Sequence, residues 1–181
     1  MPKWPSASPY ITAVGGTQGG SLPEESWTGS SGGFSDVFAQ PAWQADAVAA
    51  YLARDDIPAA SLYNASGRGF PDISAAAVDF PVVLTKRGLA MSVAGTSCAS
   101  PTGTGVFGLL NDVRLAAGKT SLGFLNPLLY ANAAALHDVT SGSQRGCSLL
   151  DGFPAVDGWD AVTGLGSPSY TKLLDVVMAL P

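Results

Sequence analysis

The chain has 181 residues, of which 46% are hydrophobic and 13% charged, with 22 glycines and 13 prolines: a turn-rich globular chain long enough for one domain with a real core, and not a disordered one. A net charge of -5 and an isoelectric point of about 4.5, with no basic cluster or basic-aromatic stripe, exclude a nucleic-acid partner from the expectation. No apolar run approaches a bilayer span, so no membrane partner is expected either, and the low charge count suits an acidic milieu.

The elements follow in chain order. Met1-Pro2-Lys3-Trp4-Pro5 has no signal-peptide core behind it and reads as a chain entered part way through. Tyr10-Ile11-Thr12-Ala13-Val14, ending at Gly15-Gly16, predicts a buried parallel-sheet strand. From Gly19 to Gly33 the composition predicts a loop carrying Glu24, Glu25 and Trp27, which either lines a cleft or is a plain hairpin loop, the second being favoured. Pro41-Ala42-Trp43-Gln44 opens a helix through Tyr51-Leu52 that Asp55-Asp56-Ile57-Pro58 ends. A further loop carries Gly67-Arg68-Gly69-Phe70-Pro71-Asp72, where a structural pairing of Arg68 with Asp72 is expected.

Phe80 to Leu84 and Leu89 to Ala94 predict an antiparallel pair around Lys86-Arg87-Gly88, which delivers Ser97 from a strand end. Val106, Leu109, Leu110 and Val113 then recur at helical spacing, with Pro101 in the first turn and Gly118 at the C-terminus. From Thr102 to Gly108 this helix is small or apolar all round, which predicts a course through the middle of the domain. A helix through Ala135, a Gly/Asp-rich loop from Ser141 to Asp160 and a closing helix from Tyr170 to Met178 complete the chain, without internal repeats.

Ser97 lies among small residues at a helix start, where unpaired N–H groups and the helix dipole favour an anion. That is what a serine nucleophile needs, because attack on a carbonyl pushes negative charge onto its oxygen. A base is missing. His137 is the single histidine and sits beside Asp138 in another part of the sequence, and neither Glu24 nor Glu25 has an aspartate four residues on. Asp138, Asp160 and Asp151 or Asp157 surround Gly158 and read either as calcium ligands or as an acidic solvated loop. Cys98 and Cys147 are too few for a disulfide framework or a zinc site.

Gly95-Thr96-Ser97-x-Ala99-x-Pro101 resembles the nucleophile motif shared by subtilases and sedolisins, the serine-carboxyl peptidases. Ser8-Pro9-Tyr10 with Val14-Gly15-Gly16-Thr17, Ser31-Gly32-Gly33-Phe34-Ser35, Tyr63-Asn64-Ala65-Ser66-Gly67-Arg68-Gly69-Phe70-Pro71-Asp72, Phe124-Leu125-Asn126-Pro127 and Gly158-Trp159-Asp160-x-Val162-Thr163-Gly164-x-Gly166 resemble sedolisin signatures in sedolisin order, nearest the tripeptidyl-peptidase I group.

The resemblance implies an α/β, subtilisin-like fold with a mostly parallel sheet and flanking helices, truncated at the N-terminus, so that residues 1–181 form the C-terminal part of a catalytic domain. It implies that Ser97 is the nucleophile of a peptidase acting on peptides or proteins at acidic pH, in a secreted or lysosomal compartment. The glutamate base, its paired aspartate and the oxyanion aspartate belong to a preceding region of the family's domain, so the chain alone is expected to be weak or inactive and its partner to be that N-terminal half. One calcium ion is implied, with Asp138 and Asp160 as side-chain ligands and Val139, Val156 and Gly158 as carbonyl ligands. Val156 stands where relatives often have glycine, and Cys98 where they carry a small residue. A non-catalytic remnant, a split-peptidase subunit and a subtilase are the alternatives.

Overall fold

The computed structural model describes residues 4–20, 22–84, 88, 90–146 and 151–181, and the backbone alone of Asp151. Along the chain lie β1 (Val14–Gln18), β2 (Glu25–Ser26), β3 (Gly33–Ala39), α1 (Ala45–Leu52), β4 (Gly67–Phe70), β5 (Ile73–Ala76), β6 (Phe80–Val83), β7 (Ala90–Val93) and α2 (Thr96–Ala116). Then follow α3 (Asn126–Ala131), β8 (Leu136–His137), β9 (Ser143–Arg145), β10 (Asp151–Pro154), β11 (Ser167–Pro168) and α4 (Tyr170–Ala179). This is an α/β arrangement.

The mostly parallel sheet is corrected. Among the described strands only β1 and β5 pair parallel, while β2 joins β1 antiparallel and β3–β4, β6–β7, β8–β11 and β9–β10 form antiparallel pairs. The strand expected over Tyr10–Val14 starts instead at Val14 and runs through the glycines taken as its end. Those glycines stay in the strand because neighbours crowd it: a Cβ on Gly15 would lie 2.8 Å from the Val162 carbonyl oxygen, and one on Gly16 2.7 Å from the Ala77 Cβ. Likewise the expected loops hold β2, β4 and β5, and the start of β3, where glycine-rich sequence hides strands that need close backbone approach. The expected β6–β7 hairpin is present, with Phe80 opposite Val93, although residues 85–87 and 89 of its turn lie outside the described residues.

The core is one cluster in which Val48 and Tyr51 of α1, Ile73 of β5, Phe107 and Leu110 of α2, Leu129 of α3, and Leu173 and Val177 of α4 are buried. Phe34, Tyr51, Phe153 and Trp159 stack edge to face at its centre, with Tyr63 against Phe34 at 4.9 Å. Arg114, buried near the end of α2, donates to the carbonyls of Thr120, Val177 and Pro181, which ties α4 and the last residue to α2. The expectation that α2 runs through the middle of the domain holds on one face only. Ala99, Gly103, Phe107, Leu110 and Arg114 are buried, but Pro101, Thr104, Gly105, Gly108, Leu109, Asp112 and Leu115 are exposed. A small and apolar composition permits close approach on every side, and the described residues approach α2 on one.

Candidate active site

Ser97 owes its position to the carboxyl end of the parallel pair. The Ala77 N–H donates to the Thr17 carbonyl and extends the β1–β5 ladder by a residue, and the Gly95 N–H then donates to the Ala77 carbonyl at 2.7 Å. The β6–β7 hairpin is thus an excursion that leaves and rejoins this point. A helix starting at the carboxyl edge of parallel strands aims its dipole at a crevice where α/β proteins place ligands. Gly95 has no side chain to cap α2, and Pro101 cannot donate to the Ser97 carbonyl, so the first turn keeps polar groups free on both sides of Ser97. The Thr102 and Thr104 hydroxyls bond back to the Cys98 and Ser100 carbonyls and do not compete for the crevice.

Ser97 itself is exposed, and Cys98 beside it is a half-buried free thiol. Among the described residues no imidazole or carboxylate hydrogen-bonds the Ser97 hydroxyl. His137 lies in β8, opposite Ser167 of β11. Glu24 takes a hydrogen bond from the Ser167 hydroxyl at 3.2 Å, and Glu25 is exposed in β2.

A second polar centre joins the 138–139 and 156–163 segments. Asp160, fully buried, accepts the N–H groups of Val156, Val162 and Thr163 at 2.7 to 3.1 Å and the Thr163 hydroxyl on both oxygens at 3.1 Å. Burial pushes its carboxyl up to about 7, and these donors pull the other way. The Val139 carbonyl is 3.5 Å from the same Thr163 hydroxyl. Asp138 accepts the Gly158 N–H at 2.7 Å, and burial raises its pKa as well. Gly158 has φ of +83°, the left-handed region that favours glycine, and that turn brings its N–H to Asp138. Two carboxylates and the Val139 carbonyl thus surround one loop, which is the donor chemistry of a hard cation. Among the described residues no three acidic, histidine or cysteine side chains converge, so any such ion relies on backbone oxygens.

No family model matches the chain. Tripeptidyl-peptidase sed4 of Aspergillus fumigatus is 46% identical over 203 aligned positions, covering 99% of this chain and 34% of that protein. Tripeptidyl-peptidase 1 of Homo sapiens is 40% identical over 98% of this chain and 33% of its own length. A solved Pseudomonas sedolisin, a serine-carboxyl proteinase complexed with pseudo-iodotyrostatin, superposes with a TM-score of 0.74 at 28% identity, covering 97% of this chain and 48% of that one.

The chain belongs to the sedolisin family. It spans about a third of the length of the curated relatives and about half of the solved sedolisin chain. In this sedolisin chain the serine of the nucleophile motif is presented at a helix start, whereas Asp138, Val139, Val156, Gly158 and Asp160 form a separate centre around the loop before β11. Sequence reasoning missed Thr163, whose hydroxyl bridges Asp160 and Val139. It stood inside the quoted Gly158 to Gly166 signature, yet nothing local distinguishes it from a turn threonine. Cys147 lies outside the described residues.

Proposed function

We propose that Ser97 is the nucleophile of a sedolisin-type serine peptidase that hydrolyses peptide bonds at acidic pH and releases tripeptides from substrate N-termini in a secreted or lysosomal compartment. Attack of the Ser97 Oγ on the scissile carbonyl forms a C–O bond, and the serine proton passes to a carboxylate base. The oxyanion develops in front of the α2 N-terminus, collapse expels the amine after it takes that proton, and water then hydrolyses the acyl-serine. The base, its paired carboxylate and the oxyanion carboxylic acid come from a region outside this chain that packs on the open face of α2. The single observation that carries this reading is the exposed Ser97 of Gly-Thr-Ser-x-Ala-x-Pro at the start of a helix whose outer face is exposed and, from Pro101 to Leu109, uncharged.

The names of the relatives support the tripeptide product, and a carboxylate base supports the acidic range, because a general base works best near its own pKa and carboxyl groups ordinarily titrate in that range. The test is turnover of a tripeptide-amide substrate at acidic pH by this chain together with the carboxylate-bearing region. Loss of turnover in Ser97→Ala is expected, and equal rates would refute the role. The chain alone is expected to be inactive; turnover by it that Ser97→Ala abolishes would overturn the need for an outside base.

One calcium ion fits the second centre, with Asp138 and Asp160 as carboxylate ligands and Val139, Val156 and Gly158 as carbonyl ligands. Such an ion would supply positive charge to carboxyl groups whose burial otherwise disfavours their ionised forms. Asp160 holds the Val156, Val162 and Thr163 N–H groups and so shapes the loop in advance of any ion. Chelation is expected to lower the melting temperature, and an unchanged value would remove the site.

A further inference from the structure

One tryptophan stands beside the Ser97 segment without belonging to the main core. A Cβ on Gly16 of β1 would lie 2.7 Å from the Ala77 Cβ, 3.1 Å from the Trp27 Cε3 and 3.4 Å from the Thr96 Cγ2. Trp27 and Thr96, the residue before Ser97, therefore border the same point on the sheet. The contact runs on into α2, because Trp27 packs against the cluster of Ala75, Ala77 and Ala99, and Ala99 lies in the first turn of that helix.

The backbone holds this indole in place. Directly after β2 the Trp27 N–H donates to the Gly16 carbonyl at 3.0 Å, and the Ser30 N–H donates to the Trp27 carbonyl at 2.9 Å. The Gly16 N–H in turn donates to the Ser30 hydroxyl at 2.9 Å, so the 27–30 turn is fastened to β1 at both ends. Within the turn a Cβ on Gly29 would overlap the Trp27 Cζ2, and only glycine leaves the ring where it is. The indole so held is half-buried, and among the described residues nothing accepts a hydrogen bond from its Nε1–H, whereas the buried Trp159 donates to the Pro71 carbonyl. Ala75, Ala77 and Ala99 carry only methyl groups, so Trp27 is the largest apolar side chain in that cluster. A fixed aromatic plane with an unused donor is the kind of surface that binds a partner's side chain and backbone together.

We infer that Trp27 is a substrate-binding residue that sets specificity: its indole bears the side chain of a substrate residue flanking the scissile bond and favours a large apolar one there. The inference rests on Ser97 as the nucleophile. A carbonyl under attack sits about 3 to 3.5 Å from the attacking oxygen, so the two side chains flanking that bond fall beside Ser97 and its neighbour Thr96. There Trp27 is the aromatic surface that the 27–30 turn holds against the same point of β1. Trp27 takes no part in bond making; it selects which peptide bond is offered to the serine.

The test measures kcat and KM with the carboxylate-bearing region at saturation, on two series of peptides. One series varies the residue before the scissile bond and the other the residue after it, each from glycine through leucine to phenylalanine. A preference for leucine or phenylalanine over glycine is expected in one series, and that series identifies the side of the bond that Trp27 serves. Trp27→Ala is expected to reduce the preference about tenfold, chiefly through KM, with the glycine peptides little changed. Trp27→Phe, which keeps an aromatic plane, is expected to retain most of it and carries the test should Trp27→Ala fail to fold: its leucine-to-phenylalanine ratio should then shift. Selectivity unchanged by both variants in both series overturns the inference. An equal loss for every peptide also overturns it, because a residue that only supports the fold or the docking of the outside region lowers all rates alike. Turnover that survives Ser97→Ala would instead refute the nucleophile, so the two failures are distinguishable.

Discussion

Two polar centres at opposite ends of the parallel pair differ in how far the described residues enclose them. Near the amino end of β5, Arg68 and Asp72 are wholly buried and 2.5 Å apart, and the chain supplies most of their partners. Asp72 also accepts the Ala13 N–H and the Tyr130 hydroxyl, and Arg68 donates to the Gly69 and Ile11 carbonyls. Gln44 completes the set by exchanging hydrogen bonds with the Gly69 backbone and donating to Tyr130. At the carboxyl end Ser97 is exposed, with a helix dipole behind it and, among the described residues, no carboxylate or imidazole hydrogen-bonded to it. The first centre is closed and, the Arg68 Nε apart, satisfied by its own neighbours, so it anchors the fold; the second is open to solvent.

The largest expected effect breaks the open centre. With the carboxylate-bearing region present, Ser97→Ala should lower kcat by several powers of ten while melting temperature stays within about a degree, because an exposed hydroxyl contributes little to stability. Breaking the closed centre should do the reverse. Asp72→Ala leaves the Arg68 charge buried and unpaired, and about 3 to 5 kcal/mol of stability should be lost, measured by urea unfolding. A loss below about 1 kcal/mol would mean that the pair is not the anchor its burial implies.

The aspartate loop lies between these extremes, closed by its own N–H donors yet short of a counter-charge. A carboxyl whose folded-state pKa is raised binds its proton more tightly in the folded chain. Stability from Asp160 is therefore greatest below about pH 4 and lost as pH rises towards its folded value of about 7. With calcium chelated, this loss should reach at most about 4 kcal/mol between those limits. Urea unfolding at a series of pH values checks it. Asp160→Asn should flatten the profile, and a profile that stays steep would assign the loss to other groups. Restoring calcium should remove most of the neutral-pH penalty if the two aspartates bind it.

How much was legible follows the same division. The Arg68–Asp72 pair could be read because both residues stand four apart beside Pro71 in one signature, and the β6–β7 hairpin because its two apolar runs flank a turn. Ser97 was legible as a helix-start serine in a strong motif. The strand through Gly15 and Gly16 was not, because glycine lowers strand propensity and its reason for being there, the Val162 carbonyl and the Ala77 methyl, comes from elsewhere in the chain. Antiparallel pairing of β8 with β11 depends on contacts about thirty residues apart, beyond any local pattern. The exposed side of α2 was not legible for a physical reason: small and apolar residues permit close packing on a face without specifying which face receives it.

That last point has the smallest effect and the sharpest sign. Gly105 and Gly108 lie on the open face of α2, and a Cβ built on either meets nothing within 4 Å. Alanine is favoured over glycine in a helix interior by about 0.8 to 1 kcal/mol, so Gly105→Ala and Gly108→Ala should each stabilise this chain by roughly that amount. If the face were simply solvent, activity restored by the carboxylate-bearing region would be unchanged or improved. If that region packs against the helix, each added methyl occupies the approach, and the concentration needed for half-restoration should rise. A stability gain together with weaker complementation would locate the docking face on α2 without touching Ser97, whereas a gain in both would place it elsewhere.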